Sequence, residues 1–213
     1  MSQKLPVNPS LTQLLWPFQN LPNEYVVVDT ESTGLFDDEG APGLITLGAA
    51  RVKDGKIEQV LEIKSRPHRA LKKEASLING FDAGEVKAFP HPIERWAEVA
   101  ACVSGKLVIM HNAAFDWRLI QDHIQRYQLT QFNVAGVFCS QRAAQPWAET
   151  VGIKCSSRGP SLDALTEYLA VTDLRENQGN IHYASDDAIQ TAGVIHKLKQ
   201  IVGECLTTQK AEL

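Results

Sequence analysis

The run Tyr25-Val26-Val27-Val28 passes directly into Asp29-Thr30-Glu31, and this junction constrains the fold more than any other stretch. A β-branched run of this kind makes a strand buried on both faces. Side chains two apart in a strand share a face, so Asp29 and Glu31 leave the strand's end in the same direction. Carboxylates held that way repel each other, and they coexist through a cation or through raised pKa values. Oxygen ligands of this kind suit Mg2+ or Mn2+. Taken alone, the pair reads more simply as the solvated turn after a strand.

Periodicity and turn chemistry supply the other elements. Residues 44–53 read as a second strand, Asp54-Gly55 as a hairpin turn, and 57–65 as a third strand. Residues 70–88 predict short helices, and 92–103 a helix with Pro92 in its first turn. Residues 107–110 form a short apolar strand. Residues 114–127 form a helix with Phe115, Leu119, Ile120, His123 and Ile124 on one side. Residues 128–160 read as less regular, with the last strand at 134–139. Ser161 caps a helix over 162–169, a loop covers 173–181, and a final helix covers 183–205. This order predicts an α/β fold, a mixed sheet flanked by helices with one hairpin-built edge. Residues 1–23, with Pro6, Pro9, Pro17 and Pro22, read as an N-terminal extension carrying a short surface helix. Residues 24–205 then form one domain and 206–213 a C-terminal tail.

Composition narrows the class. The 213 residues fit one fairly large domain, and a 44% hydrophobic content suffices for a core. A net charge of −4 argues against coating nucleic acid by charge alone. An enzyme acting on nucleic acid stays open, because bound metal ions supply local positive charge. Cys102, Cys139, Cys155 and Cys205 make no CxxC pair, so they read as buried reduced thiols, with neither a zinc site nor a disulfide framework. No apolar run is long enough for a bilayer and no signal-peptide pattern opens the chain. A cytoplasmic protein without a membrane partner is the expectation.

Two more constellations repeat the pattern of a carboxylate beside an element's end. His111-Asn112-Ala113-Ala114-Phe115-Asp116 follows the strand at 107–110, and His182-Tyr183-Ala184-Ser185-Asp186-Asp187 enters the last helix. Each has a plain structural reading as negative charge at a helix N-terminus. Taken together, the three resemble a known set. Val26 to Leu35, with Asp29 and Glu31, resembles the first motif of the DnaQ-like exonucleases of the DEDDh branch. That family includes the proofreading epsilon subunit of bacterial DNA polymerase III and RNase T. The His111–Asp116 segment resembles its second motif, and His182 with Asp187 its third. Lys73 to Phe81 and Ser161 to Leu165 are similar to the segments between motifs.

The resemblance implies a ribonuclease H-like mixed five-stranded sheet, with an exonuclease domain over 24–205. It implies a metal-dependent 3′→5′ exonuclease that hydrolyses DNA from its 3′ end, releasing nucleoside monophosphates, in proofreading or repair. Two divalent ions, Mg2+ or Mn2+, are its cofactors. Asp29 is then the bridging ligand, Glu31 and Asp187 bind the metal beside the attacking water, and Asp116 reaches the second metal. His182 takes a proton from that water, a role suited to an imidazole near neutral pH. Thr33, Gly34 and Leu35 are expected to offer backbone donors and an apolar wedge. Glu74, Asn79 and Phe81 are expected to flank the terminal nucleotide, and Asn112 and Phe115 to position the scissile phosphate. Arg66, Arg69, Lys72 and Lys73 are close enough in sequence for a phosphate-tracking patch, although a solvated face is the commoner outcome. The partner is a nucleic acid with a free 3′ end, single-stranded or frayed, DNA favoured over RNA, together with a replication or repair protein. An RNA 3′-end trimming enzyme and a non-catalytic nucleic-acid-binding module are the alternatives.

The chain departs from the family pattern at Asn79, where histidine is frequent, and at Cys139-Ser140, where Asp-Thr or Cys-Thr is frequent. The first puts end recognition in question; the second reads as structural. Gln13 to Phe18 also loosely resembles peptides that bind sliding clamps.

Overall fold

The structure, a computed structural model, describes residues 13–172 and 182–211, with side chains to residue 203. The expected loop at 173–181 and the side chain of Cys205 lie outside the described residues. β1 (Glu24–Ser32) runs through the middle of a five-stranded sheet ordered β3-β2-β1-β4-β5. β2 (Leu44–Lys53) is antiparallel to β1, and β3 (Lys56–Lys64) is antiparallel to β2. β4 (Leu107–Met110) and β5 (Gly136–Cys139) extend the other side in parallel. Asp54 and Gly55 both have positive φ, 48° and 76°, the conformation that a two-residue hairpin turn requires. A small two-stranded hairpin, β6 (Cys155–Ser156) with β7 (Gly159–Pro160), stands apart from the main sheet.

The helices are α1 (Trp16–Gln19), α2 (Lys73–Asn79), α3 (Ala83–Lys87) and α4 (Trp96–Val103), then α5 (Ala113–Tyr127), α6 (Ser140–Thr150), α7 (Leu162–Leu169) and α8 (Ala184–Ala211). Alternation along β1 assigns them to two layers. Tyr25 and Val27 pack with α6, α7 and α8, against Trp147, Leu165, Ile195 and Leu198. Val26 and Val28 pack with α4 and α5, against Trp96, Val99, Leu119 and Ile120. Both cores reach the end of β1, so each layer can deliver a side chain there.

Several expectations change. The described part of the N-terminal extension is built into the core: Leu15 and Phe18 are fully buried, and Phe18 meets Phe138 edge-on at 5.6 Å. The apolar groups that a clamp would grip are therefore already used, leaving Trp16 exposed. The stretch at 128–160 contains α6, which the apolar pattern hides. Its buried stripe is Ser140, Gln141, Ala144, Trp147 and Ala148, helical in spacing but largely polar or small, and Pro146 interrupts it. α4 starts at Trp96 because Pro92 to Arg95 form a turn in which Arg95 has φ 59°. α8 runs past 205 to Ala211. Among the described cysteines all three are free, and only Cys102 is buried. No helix among the described residues is long and apolar enough to cross a membrane.

Candidate active site

The carboxylates meet where the two layers converge on the end of β1. Asp29 and Glu31 continue the row of Tyr25 and Val27, so they face the α8 layer, while Thr30 faces α5. The first turn of α5 carries Asp116, which is buried and accepts a 2.6 Å hydrogen bond from Thr30 Oγ1. The first turn of α8 carries Asp187. His182, just before that helix, places Nδ1 4.0 Å from Asp187 Oδ2. Ligand atoms of Glu31, His182 and Asp187 lie within 4.8 Å of one another.

Three further residues, Gly48, Thr30 and Asn79, hold these groups together, and of these only Gly48 lies outside the segments that resemble the family. Gly48 is opposite Asp29 in the β1–β2 register. A Cβ at Gly48 would collide with the backbone of Ala184 and Ser185, so its absence lets α8 sit directly on the sheet. A lone glycine inside a strand pattern is the sequence signal of such an approach. Thr30, between the two acidic residues, fixes Asp116. Asn79 is buried; its Nδ2 donates to Ser32 O at 3.1 Å, and its own carbonyl accepts from His182 N at 3.0 Å. It ties the end of β1 to the histidine loop.

The cluster is electrostatically frustrated. Burial pushes the Asp29 carboxyl well above the ordinary carboxylate range, and Asp116, Asp187, Glu31 and Glu62 push it further. Burial likewise raises Glu31 well, reinforced by Asp187, Asp116 and Glu62 and opposed by the Asn79 amide. Asp116 is raised by burial to about 7 despite the Thr30 hydrogen bond. Oxygen donors that destabilise one another in this way fit a site for divalent cations.

Residues 26–195 match the family model of RNase T, described as exonuclease. The chain belongs to the RNase T exonuclease family. The chain is 25% identical over 192 residues to a DNA polymerase III of PolC type from Thermotoga petrophila. The alignment takes in 89% of the chain and only 13% of that much longer relative. Among solved structures, the chain resembles Exonuclease X in complex with 5′-overhanging duplex DNA, at 21% identity and a TM-score of 0.59. That match covers 84% of this chain and 93% of the other. It also resembles the nuclease domain of 3′hExo, a DEDDh family member bound to rAMP, at 13% identity and a TM-score of 0.63, over 84% and 92% of the two chains. The fold is therefore the ribonuclease H-like mixed sheet that the sequence resemblance implied.

Within this exonuclease fold the residues expected to touch substrate separate. Leu35 is 68% exposed and Glu74 is exposed in the first turn of α2. Gly34, Asn112 and Phe115 are half-buried, and the Phe115 ring meets Phe36 edge-on at 5.5 Å. Phe81 cannot flank a nucleotide: it is fully buried and packs edge-on against Phe89 and Tyr183. Asn79 is also turned inward: its Nδ2 donates to Ser32 O and its Oδ1 accepts from Phe81 N at 3.2 Å, so both ends of its amide are engaged within the protein. The Thr33 N–H donates to Gly43 O at 2.9 Å, and its hydroxyl accepts from Gly43 N at 2.8 Å. Thr33 therefore closes its loop and has no backbone donor left for a phosphate. In the basic segment, Arg69 pairs with Asp37 and Glu39, and Lys72 with Asp37; these two hold the loop after β1. His111, buried with Nδ1 3.2 Å from Ser140 Oγ and Nε2 3.1 Å from Pro160 O, is a structural joint.

The raised carboxyl groups set a pH dependence. A carboxyl with a folded pKa above its unfolded value holds a proton that the unfolded chain releases. Its contribution to stability is complete below the unfolded pKa and lost as pH rises through the folded one. Burial lowers His111 and His123 to about 4, so below their unfolded pKa these two give the opposite slope. At about pH 6.5 both are still half-charged in the unfolded chain, so from there to pH 8.5 the two together return about 1 kcal/mol. The Asp116 part is therefore read against Asp116→Asn, which keeps both histidines: from about pH 6.5 to 8.5 the metal-free wild type should lose about 1 kcal/mol relative to that variant, or about 2–4 °C of Tm. Melting curves in chelator check this, and Mg2+ or Mn2+ should restore more at the higher pH. A metal-free wild-type Tm that rises relative to Asp116→Asn across that window contradicts the protonation pattern.

Proposed function

We propose that this chain is a metal-dependent 3′→5′ exonuclease that removes nucleoside monophosphates from the 3′ end of DNA, in replication proofreading or repair. The observation that carries the reading is the meeting of Asp29, Glu31, Asp116, Asp187 and His182 at one strand end in a chain of an exonuclease family. Asp29, Glu31, Asp116 and Asp187 would hold two divalent ions, Mg2+ or Mn2+. Bound there, such ions supply a nucleophilic hydroxide and neutralise charge on the phosphate and the leaving oxygen. The acidic residues exclude a polyanion until cations are bound. His182, with its side chain one-quarter exposed, accepts the proton of the attacking water. Exposed Leu35 offers an apolar face for the last base, and stacking of that kind tolerates any base.

The preference for DNA rests on the PolC-type relative and on the DNA-bound Exonuclease X neighbour; the rAMP-bound neighbour supports RNA as the rival substrate. A replication or repair protein is the partner this reading favours, and the cytoplasm its setting. The test uses 5′-labelled DNA and RNA oligonucleotides of matched sequence, with Mg2+, with Mn2+ and with chelator. Ladders that shorten from the 3′ end of DNA only with metal are expected. His182→Ala should lower the rate by about 10^2–10^4-fold and remove the acidic limb of the pH–rate profile. Trimming confined to RNA overturns the substrate, and hydrolysis in chelator overturns the mechanism.

A further inference from the structure

We propose that Glu62 is a positioning residue: it anchors the N-terminus of α8 at the depth where Asp187 and His182 meet Glu31 and Asp29. The inference rests on the active-site reading above. Glu62 lies opposite Gly48 in the β2–β3 register, and Gly48 lies opposite Asp29 in the β1–β2 register. The three form one row across adjacent strands, all on the face covered by α8. Gly48 leaves the space, and Glu62 supplies the tether. Its Oε2 accepts a 2.7 Å hydrogen bond from the N–H of Ser185, across 123 residues of sequence.

That N–H belongs to the first turn of α8, where a helix has no internal acceptor for it. A carboxylate at this end also complements the helix dipole. The adjacent first-turn donors are accounted for separately: Asp186 N and Asp187 N both reach Tyr183 O, at 2.9 and 3.3 Å. The cap on Ser185 therefore comes from the sheet, while Tyr183 O, just before the helix, serves the two donors that follow. A fifth carboxylate beside four others is electrostatically unfavourable, and Glu62 raises both Asp29 and Glu31. Its place is explained by what it holds. Asp187 and His182 flank the tethered residue in sequence, so moving Ser185 moves both.

The test compares Glu62→Ala, which removes the acceptor, with Glu62→Gln, which keeps an acceptor oxygen without the charge. Mn2+ affinity is measured by calorimetry without nucleic acid, alongside kcat and KM on a DNA oligonucleotide. Loss of outer supports of a metal site typically costs about 10–100-fold in metal affinity or activity. Glu62→Ala is expected to weaken Mn2+ binding to that extent and to lower kcat more than it alters KM. Glu62→Gln is expected to recover most of both. A folded Glu62→Ala protein with wild-type Mn2+ affinity and kcat overturns the proposal. So does an equal loss in both variants, which would mark Glu62 as a charge and not a tether.

If Glu62→Ala does not fold, amide exchange in the wild-type protein decides. The Ser185 amide should exchange as slowly as those of Asp186 and Asp187, and fast exchange overturns the tether. Should the wild-type protein bind no Mn2+ and cleave nothing, the active-site reading fails, while Ser185 exchange still reports on the tether by itself.

Discussion

Asp29→Asn should abolish hydrolysis while raising the melting temperature of the metal-free protein. The two effects share one cause. Burial and four neighbouring carboxylates all oppose the ionised form of Asp29, so folding without metal confines a charge the site resists. Asparagine keeps the shape and removes that charge, and the metal-free protein gains stability at neutral pH. The gain should shrink toward acid, where the wild-type carboxyl is already protonated. Metal reverses the order. Ligand that binds only the folded state stabilises it by RT ln(1 + [L]/Kd), and the variant has lost one of the four carboxylates that would hold the ions. Supporting residues around metal sites already cost about 10–100-fold when removed, so the loss of Asp29 itself should exceed about 10^3-fold, or roughly 4 kcal/mol of barrier. Melting curves with chelator and with Mg2+, run beside a DNA trimming assay, read both halves. A rate within tenfold of wild type removes Asp29 from the site. A lower metal-free Tm shows that the cluster is relieved by some contact other than a cation.

The residues legible in the sequence are those whose signal is local. The β-branched run before Asp29 declares a buried strand, and period two puts Asp29 and Glu31 on one face. Asp54-Gly55 declares the hairpin, and Ser161 accepts from Ala164 N at 3.2 Å as a cap should. Asp116 and Asp187 are ambiguous singly and gain meaning from their order along the chain. What stays hidden depends on distant contacts. Phe81 and Asn79 lie in a segment that resembles a nucleotide-contacting one. Their burial is decided by Phe89, Tyr183, Ser32 and His182, and no local pattern shows it. α6 is masked because polar Ser140 and Gln141 occupy its buried stripe, satisfied there by contacts to Met110 O, His111 and Pro160 O. Gly48 and Glu62 acquire their roles only when two strand registers align them beneath a helix that begins more than a hundred residues later.

Gly48→Ala tests that alignment with a single methyl group. In an unobstructed strand the change would be neutral to favourable, since alanine loses less backbone entropy on folding. Here the methyl would occupy the space of the Ala184 and Ser185 backbone, and backbone has no alternative rotamer to move into. Inserting a methylene into a packed interior costs about 1–3 kcal/mol, and a backbone collision belongs at the upper end or beyond. For a domain of this size that is a fall of about 6–12 °C in Tm. The variant's surviving folded state must lift the start of α8 off the sheet. Asp187 and His182 move with it, and a misplacement of about 1 Å can cost roughly 10^2-fold in rate. Gly203→Ala is the control within the same helix, because nothing lies within 4 Å of an added Cβ there. It should be neutral or gain about 0.5–1 kcal/mol from helix propensity, with activity unchanged. If Gly48→Ala instead melts and cleaves like the wild type, α8 has room to spare over β2. The depth of Asp187 and His182 would then be set by the Asn79 contact with the histidine loop and not by the sheet.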